Sequence, residues 1–173
     1  MALGPEHFRT VPDWPKEGIQ FHDISPILRD AQLLASTTQD LIAATRAIVG
    51  EVDYVTAPEA RGFLFGPALA VALGAGFVLA RKPDKLPPQT ASVPYELEYG
   101  EEHLHIHDHE LEGKRVLVHD DLLATGGTAR ALVSLMETAG AEVVGAAFVS
   151  EILFLEGRAS LGAMPVATLV EFD

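Results

Sequence analysis

The residues best suited to chemistry lie in RVLVHDDLLATGGTARALV, residues 115–133. An apolar run, Val116, Leu117 and Val118, delivers two adjacent acids, Asp120 and Asp121, to what reads as a strand end. Ala124, Thr125, Gly126, Gly127 and Thr128 then turn into a helical pattern. Paired glycines permit backbone conformations that leave successive N–H groups pointing into one concavity. A following helix adds its unsatisfied amides and the positive end of its dipole, and together these cradle a phosphate. Thr125 and Thr128 add hydroxyl donors. The two carboxylates repel phosphate, but they accept hydrogen bonds from vicinal hydroxyls such as the 2′ and 3′ groups of a ribose. A diol reader followed by a phosphate cradle suits a ribose 5-phosphate. The GK[ST] ending of a Walker loop is missing, which argues against a nucleoside triphosphatase.

A second set of candidates is basic. Arg61, Arg81, Lys82 and Lys85 are four of only twelve Lys and Arg residues in a chain of formal net charge −13. That overall field opposes nucleic acid and anionic membrane, so a local basic cluster points instead to a small anion. The absence of cysteine excludes disulfides and thiolate metal sites. His103, His105, His107 and His109 alternate, and on a strand they share one face, as transition-metal ligands can. No other ligand cluster accompanies them, so a metal role is not expected.

Elements that position these groups follow from pattern. Residues 31–49 carry apolar side chains at helical spacing, and Phe63–Leu73 reads as a helix ending at Gly74. Asp53–Ala57, Phe77–Ala80, Arg115–His119, Glu142–Val149 and Val166–Val170 read as short apolar strands, with a helix over Thr128–Ala139 closed by Gly140. Between Pro83 and Pro94 four prolines exclude helix and central strand. Tyr95–Tyr99 and His103–His107 flank Gly100 as a hairpin. The expected fold class is α/β: a mostly parallel sheet flanked by helices, in one domain over 1–173, with residues 83–107 as a proline-rich lid and hairpin. Ligands of such sheets sit beyond the carboxyl ends of the strands, here after Ala57, Ala80 and His119. With 48% hydrophobic residues, no apolar run of membrane-spanning length and no secretory signal, the cytoplasm is the expected compartment.

VLVHDDLLATGGTA resembles the phosphoribosyl pyrophosphate signature of the type I phosphoribosyltransferases. EARGFLFGPALA (59–70), RKPDKLP (81–87), YELEYG (95–100) and VPDWPKEGIQFHDISP (11–26) narrow the resemblance to the adenine phosphoribosyltransferase family. The pieces run in family order from about Val11 to about Leu155.

The resemblance implies that adenine and phosphoribosyl pyrophosphate give AMP and pyrophosphate, in purine salvage. It assigns Asp120, Asp121 and Ala124–Thr128 to the ribose 5-phosphate. Glu59, Ala60 and Arg61 fall to the pyrophosphate, with Arg81, Lys82 and Lys85 acting partly across a homodimer interface. A strained or cis peptide is typical of the loop matching residues 59–62. Phe21 matches the aromatic that stacks on the base, flanked by Gln20 and His22. Glu98 matches a glutamate near N7 of the purine, and Tyr99 a neighbouring aromatic of the lid. With Arg61, Glu98 is the expected catalytic residue. Mg²⁺ is the implied cofactor, carried by pyrophosphate oxygens with no direct protein ligand. Three positions depart from the family pattern: Gln20 for an apolar residue, His22 for arginine and Asp84 for glycine. The first two leave hypoxanthine or guanine as alternative bases. A phosphoribosyl pyrophosphate-sensing regulator is a further alternative, but it predicts a basic face or an added nucleic-acid-binding segment, and the sequence has neither.

Overall fold

The computed structural model describes residues 3–83, 85–86, 91–97, 100–107 and 109–173, with backbone alone over 91–97 and 100–103. Asp84, Glu98 and Tyr99 lie outside the described residues.

Strands β1 (Arg9–Pro12) and β2 (Gln20–Asp23) form an antiparallel hairpin, followed by a short helix α1 (Ser25–Arg29) and a long one, α2 (Ala31–Ile48). Asp30 caps α2 by accepting from the Gln32 and Leu33 amides at 2.8 and 3.0 Å, satisfying two of its open N–H groups. Then come β3 (Tyr54–Pro58), a 3₁₀ turn over Arg61–Leu64, α3 (Gly66–Leu73) and β4 (Gly76–Ala80). A second hairpin, β5 (Ala91–Leu97) and β6 (Gly100–Ile106), precedes β7 (Arg115–Leu123), α4 (Gly127–Thr138), β8 (Glu142–Ile152) and β9 (Val166–Phe172).

Five strands make one parallel sheet in the order β4-β3-β7-β8-β9. Both faces are covered, which is why its central strands read as nearly unbroken apolar runs. On one side, Val116, Val118 and Phe148 pack with Leu132, Leu135 and Met136 of α4 and with Leu104 and Ile106 of the second hairpin. On the other, Val55, Leu117 and Val149 pack with Leu41 of α2 and with Phe65 and Leu69 before and within α3.

The expected elements are present, with informative shifts. The helix foreseen over Phe63–Leu73 is divided, because Pro67 cannot continue a helix from the preceding turn but suits the first turn of a new one. Gly74 closes it in the left-handed region at φ 71°. The strand foreseen at Arg115–His119 runs on to Leu123, so Asp120 and Asp121 belong to the strand rather than to a loop beyond it. Pairing Leu122 with Ser150 and Leu123 with Glu151 extends it. Strand β5 starts at Ala91, before the expected Tyr95, and includes Pro94, which a two-stranded ribbon tolerates because both strands are edges. Hairpin β1–β2 has no counterpart among the expected elements: half of its strand residues are exposed, and it carries no apolar alternation.

Candidate active site

The site gathers at the carboxyl ends of β3, β4 and β7. Beyond β3 the chain passes through a cis Glu59–Ala60 peptide into the Arg61 turn. The Glu59 amide donates to the Ala80 carbonyl at 2.9 Å, tying this loop to the end of β4. The Glu59 carboxylate strengthens the tie, accepting from Arg81 Nε at 2.6 Å and from the Lys82 amide at 2.7 Å. Burial works to raise the Glu59 carboxyl, but the Lys82 amide and the Arg81 guanidinium outweigh it and hold the group below the usual range. Arg81 in turn exchanges two backbone hydrogen bonds with His105, at 2.8 and 2.9 Å, and so anchors the second hairpin beside the site.

Gly62 lets the β3 loop close over the acids. A Cβ there would stand 2.6 Å from Pro58 Cδ and 3.3 Å from Asp120 Oδ1, so no larger residue fits without displacing them. Arg61 Nε lies 3.3 Å from Asp121 Oδ2. Asp120 Oδ1 accepts from the Asp121 amide at 2.9 Å, and the Asp121 carbonyl accepts from Ser150 Oγ at 3.2 Å. Asp121 is buried and Asp120 half-buried. Burial first, and then the neighbouring Asp121 charge, push the Asp120 carboxyl well above the usual range. Asp121 is raised by burial too, with Arg61 pulling against it. Two crowded acids share one guanidinium, so a neutral diol that donates to both carboxylates suits the place better than a further anion.

Three residues beyond the end of β7 the backbone enters the glycine turn. Gly126 has φ 82° and stands at the N-cap of α4, and Gly127 is the first helical residue. No side chain caps this helix, so the amides of its first turn stay available to a ligand. Ala124 and Thr128 are half-buried and Thr125 is exposed at the rim.

The remaining candidates come from β2. Phe21 packs edge-on against Trp14 with centroids 4.4 Å apart, and the Arg61 guanidinium lies 5.7 Å from the Phe21 ring centre. Arg61 therefore stands between the acid pair and this aromatic. Gln20 is exposed at the strand start. His22 points away, as strand alternation requires: its ring stacks on Phe172 at 3.7 Å, and burial lowers its pKa. The structure thus brings together Phe21, Arg61, Asp120, Asp121 and the loops of Glu59 and Arg81, but turns the His22 ring to the other side of the hairpin. Lys85 is exposed, its amide donating to the Lys82 carbonyl at 3.3 Å.

Among the described residues, no three His, Asp or Glu side chains stand where they could hold a metal ion. The acids at the site are already engaged: Asp121 is paired with Arg61, and Glu59 with Arg81. This donor set fits a Mg²⁺ carried on ligand oxygens rather than one caged by protein. Of the alternating histidines, His107 and His109 fall beyond β6, which ends at Ile106.

Sequence reasoning passed over what stands behind the glycine turn. The 3₁₀ turn Gly157–Leu161 packs there, held by an ion pair between Arg158 and the buried Glu151. The available signal was the acid at the end of the apolar run GAAFVSEI, since a buried carboxylate requires a partner.

The sequence matches the phosphoribosyl transferase domain family over residues 20–152. It is 50% identical over 166 residues to an adenine phosphoribosyltransferase of Thermoanaerobacter sp. (strain X514), covering 95% of this chain and 94% of the relative. The fold is similar to the crystal structure of adenine phosphoribosyltransferase from Thermoanaerobacter pseudethanolicus, with a TM-score of 0.90, 47% identity and 96% of each chain covered. It is also similar to the Saccharomyces cerevisiae adenine phosphoribosyltransferase complexed with an imino-altritol bisphosphate and adenine. That match has a TM-score of 0.84 and 40% identity, covering 95% of this chain and 94% of the yeast chain.

Proposed function

The chain belongs to the adenine phosphoribosyltransferase family, and on that premise we propose that it joins adenine to phosphoribosyl pyrophosphate, releasing AMP and pyrophosphate. One observation carries the reading at the level of chemistry. An acid pair near the end of β7 lies five residues before Gly126, the N-cap of an uncapped, glycine-led helix, with Arg61 against the acids.

Asp120 and Asp121 accept the ribose hydroxyls, and Ala124–Thr128 receive the 5′-phosphate. Backbone groups of Glu59 and Ala60, together with Arg61, Arg81, Lys82 and Lys85, face the pyrophosphate. As the C1′–oxygen bond breaks, the sugar gains oxocarbenium character and negative charge grows on the leaving group. Arg61, held against Asp121, supplies positive charge to the phosphate that departs. Mg²⁺ on the pyrophosphate oxygens supplies further charge neutralisation when bound. Phe21 stacks on the purine beside Gln20 and the His22 backbone. Glu98 and Tyr99 close over the base, with Glu98 sharing a proton at N7 as N9 is deprotonated. Residues 83–107 act as the lid of a single 1–173 unit and keep water from the activated sugar.

The enzyme works as a homodimer, a reading supported by Leu64, Val71 and Leu79, which are exposed on neighbouring elements at the β4 edge of the sheet. The reading includes a cytoplasmic location, where a polyanionic substrate is retained because it does not cross a bilayer unaided.

Pyrophosphate release with adenine, hypoxanthine and guanine in turn, with and without Mg²⁺, tests the proposal. Adenine should lead in kcat/KM by at least about tenfold, roughly 1.4 kcal/mol of differential transition-state binding. Comparable turnover of hypoxanthine would overturn the base assignment, and no release with any base would overturn the activity.

A further inference from the structure

The glycine turn that precedes α4 is shaped from behind. Gly157 lies so close to it that a Cβ would stand 2.1 Å from the Ala124 carbonyl oxygen and 3.1 Å from the Gly126 nitrogen. The contact is reciprocal: a Cβ on Gly126 would stand 2.0 Å from Ser160 Oγ and 2.6 Å from the Gly157 carbonyl. Two glycines from distant parts of the chain are therefore packed back to back, with Ser160 Oγ donating to the Gly157 carbonyl at 2.7 Å to brace the joint.

The brace is itself pinned to the sheet. Glu151, near the end of β8 and 3% exposed, takes a bidentate hold on Arg158: Nε donates to Oε1 at 3.2 Å and Nη2 to Oε2 at 2.5 Å. Arg158 also donates to the Val166 carbonyl at 3.1 Å and to Thr168 Oγ1 at 3.2 Å, both on β9. Four hydrogen bonds thus fix one guanidinium across two strands. A fork-to-fork pair sets direction as well as distance, which a lysine cannot reproduce. The register that pairs Leu123 with Glu151 places this anchor beside the point where β7 gives way to the glycine turn.

We propose that the turn Gly157–Leu161, pinned by the Arg158–Glu151 pair, is the rear wall of the phosphate cradle and sets its depth, which makes Gly157 and Arg158 positioning residues for the 5′-phosphate. The inference rests on the reading of Ala124–Thr128 as the phosphate site. Its physical content is preorganisation. The α4 N-terminus has no side-chain cap, and Gly126 sits in the left-handed region, so little within the loop itself holds its N–H groups in place. Donors fixed in advance do not have to be ordered when the ligand arrives. A wall in contact with the loop backbone supplies that order.

Gly157→Ala tests the wall directly. The new methyl cannot stay 2.1 Å from the Ala124 oxygen, and a contact of at least 3.0 Å requires the loop or the wall to shift by about 0.9 Å. A misplacement near 1 Å costs on the order of 100-fold where geometry is critical. Isothermal titration with ribose 5-phosphate should show affinity at least about tenfold weaker than wild type, while affinity for pyrophosphate, which meets the β3 and β4 loops, stays within about twofold. Arg158→Lys keeps the charge but loses the fork, and it should shift ribose 5-phosphate in the same direction. It decides the question if the alanine variant does not fold. Leu41→Ala, in the opposite core, gives a destabilised control that should leave both affinities unchanged. Ribose 5-phosphate affinity within twofold of wild type in both wall variants overturns the wall, as does an equal loss of pyrophosphate affinity. Failure of the wild-type protein to bind ribose 5-phosphate overturns the phosphate site itself, and the proposed function with it.

Discussion

Substituting His119 by valine should remove most of one acid-sensitive component of stability. The His119 side chain is fully buried. Its Nδ1 donates to the Ala147 carbonyl at 2.8 Å, and among the described residues Nε2 has no partner. That arrangement holds the neutral ring. Burial pushes the pKa down to about 4 from an ordinary 6.5, only partly opposed by the Ala147 carbonyl. Below pH 6.5 the unfolded chain takes up a proton that the folded chain refuses until pH falls near 4, so stability drops as pH falls through this window. At about 1.4 kcal/mol per unit, the loss approaches about 3 kcal/mol. Asp120 and Asp121, raised by burial, act in the opposite sense over part of the same range, but wild type and variant share them and they cancel in the difference. Valine suits a strand and is a little smaller than histidine. It leaves the Ala147 carbonyl without its donor, a cost of about 1–3 kcal/mol that does not vary with pH. Urea unfolding followed by far-ultraviolet circular dichroism from pH 7 to pH 4 should therefore show the gap between the proteins closing by about 3 kcal/mol, with the variant gaining on the wild type. Parallel curves would refute the reasoning.

Asp120→Asn keeps the acceptor for the Asp121 amide and removes a charge that the fold disfavours. Because a raised carboxyl loses stability as pH rises above its unfolded value, the variant should gain on the order of 1–3 kcal/mol at pH 7 and almost nothing at pH 4. Its affinity for phosphoribosyl pyrophosphate should fall in the same samples, and a loss of stability at pH 7, read by thermal unfolding, would contradict the argument. Phe21→Ala removes an edge-on partner of Trp14 and a ring facing Arg61, costing about 1–2 kcal/mol of stability. If the ring also stacks on the purine, the KM for adenine should rise by a further factor of about 5–150 while the KM for phosphoribosyl pyrophosphate changes little. Equal changes in both KM values would show that the ring only supports the hairpin.

The parallel sheet was legible because burial on both faces writes long apolar runs into the sequence, and the segments around Val55, Val118, Phe148 and Val170 carry them. The acid pair and the glycine-led helix start of the candidate site were legible because one continuous segment, Asp120 to Thr128, holds both. What the sequence concealed depends on contacts between distant segments. Nothing in the order of residues tells that Gly157 abuts Ala124, or that Glu151 and Arg158 close on one another, because neither pair shares a period or a motif. The end of β7 was misplaced for a related reason. Two acids look like the polar start of a loop, yet Ser150 and Glu151 on β8 give that stretch a polar partner and keep it in the sheet. His22 enters the base-binding candidates through the family segment that includes Phe21, and strand alternation sends its ring to Phe172.

A chain of net charge −13 that receives a polyanion has to separate its charges locally, and the structure shows how. Two cation–acid contacts at the site are internal: Arg61 lies against Asp121, and Arg81 is hydrogen-bonded to Glu59. These arginines are held in place by acids from the fold, so their positions do not depend on a ligand, but part of their charge is already balanced. Besides Lys82 and Lys85, backbone dipoles add positive potential for phosphate groups. The uncapped start of α4 provides one such source, and the amides of the closely packed loops provide others. Backbone donors hold their charge at any pH and keep a fixed direction as long as the packing behind them is fixed. For that reason the packing of Gly62 over Asp120, and of Gly157 behind Ala124, belongs to the electrostatics of the site as much as the arginines do.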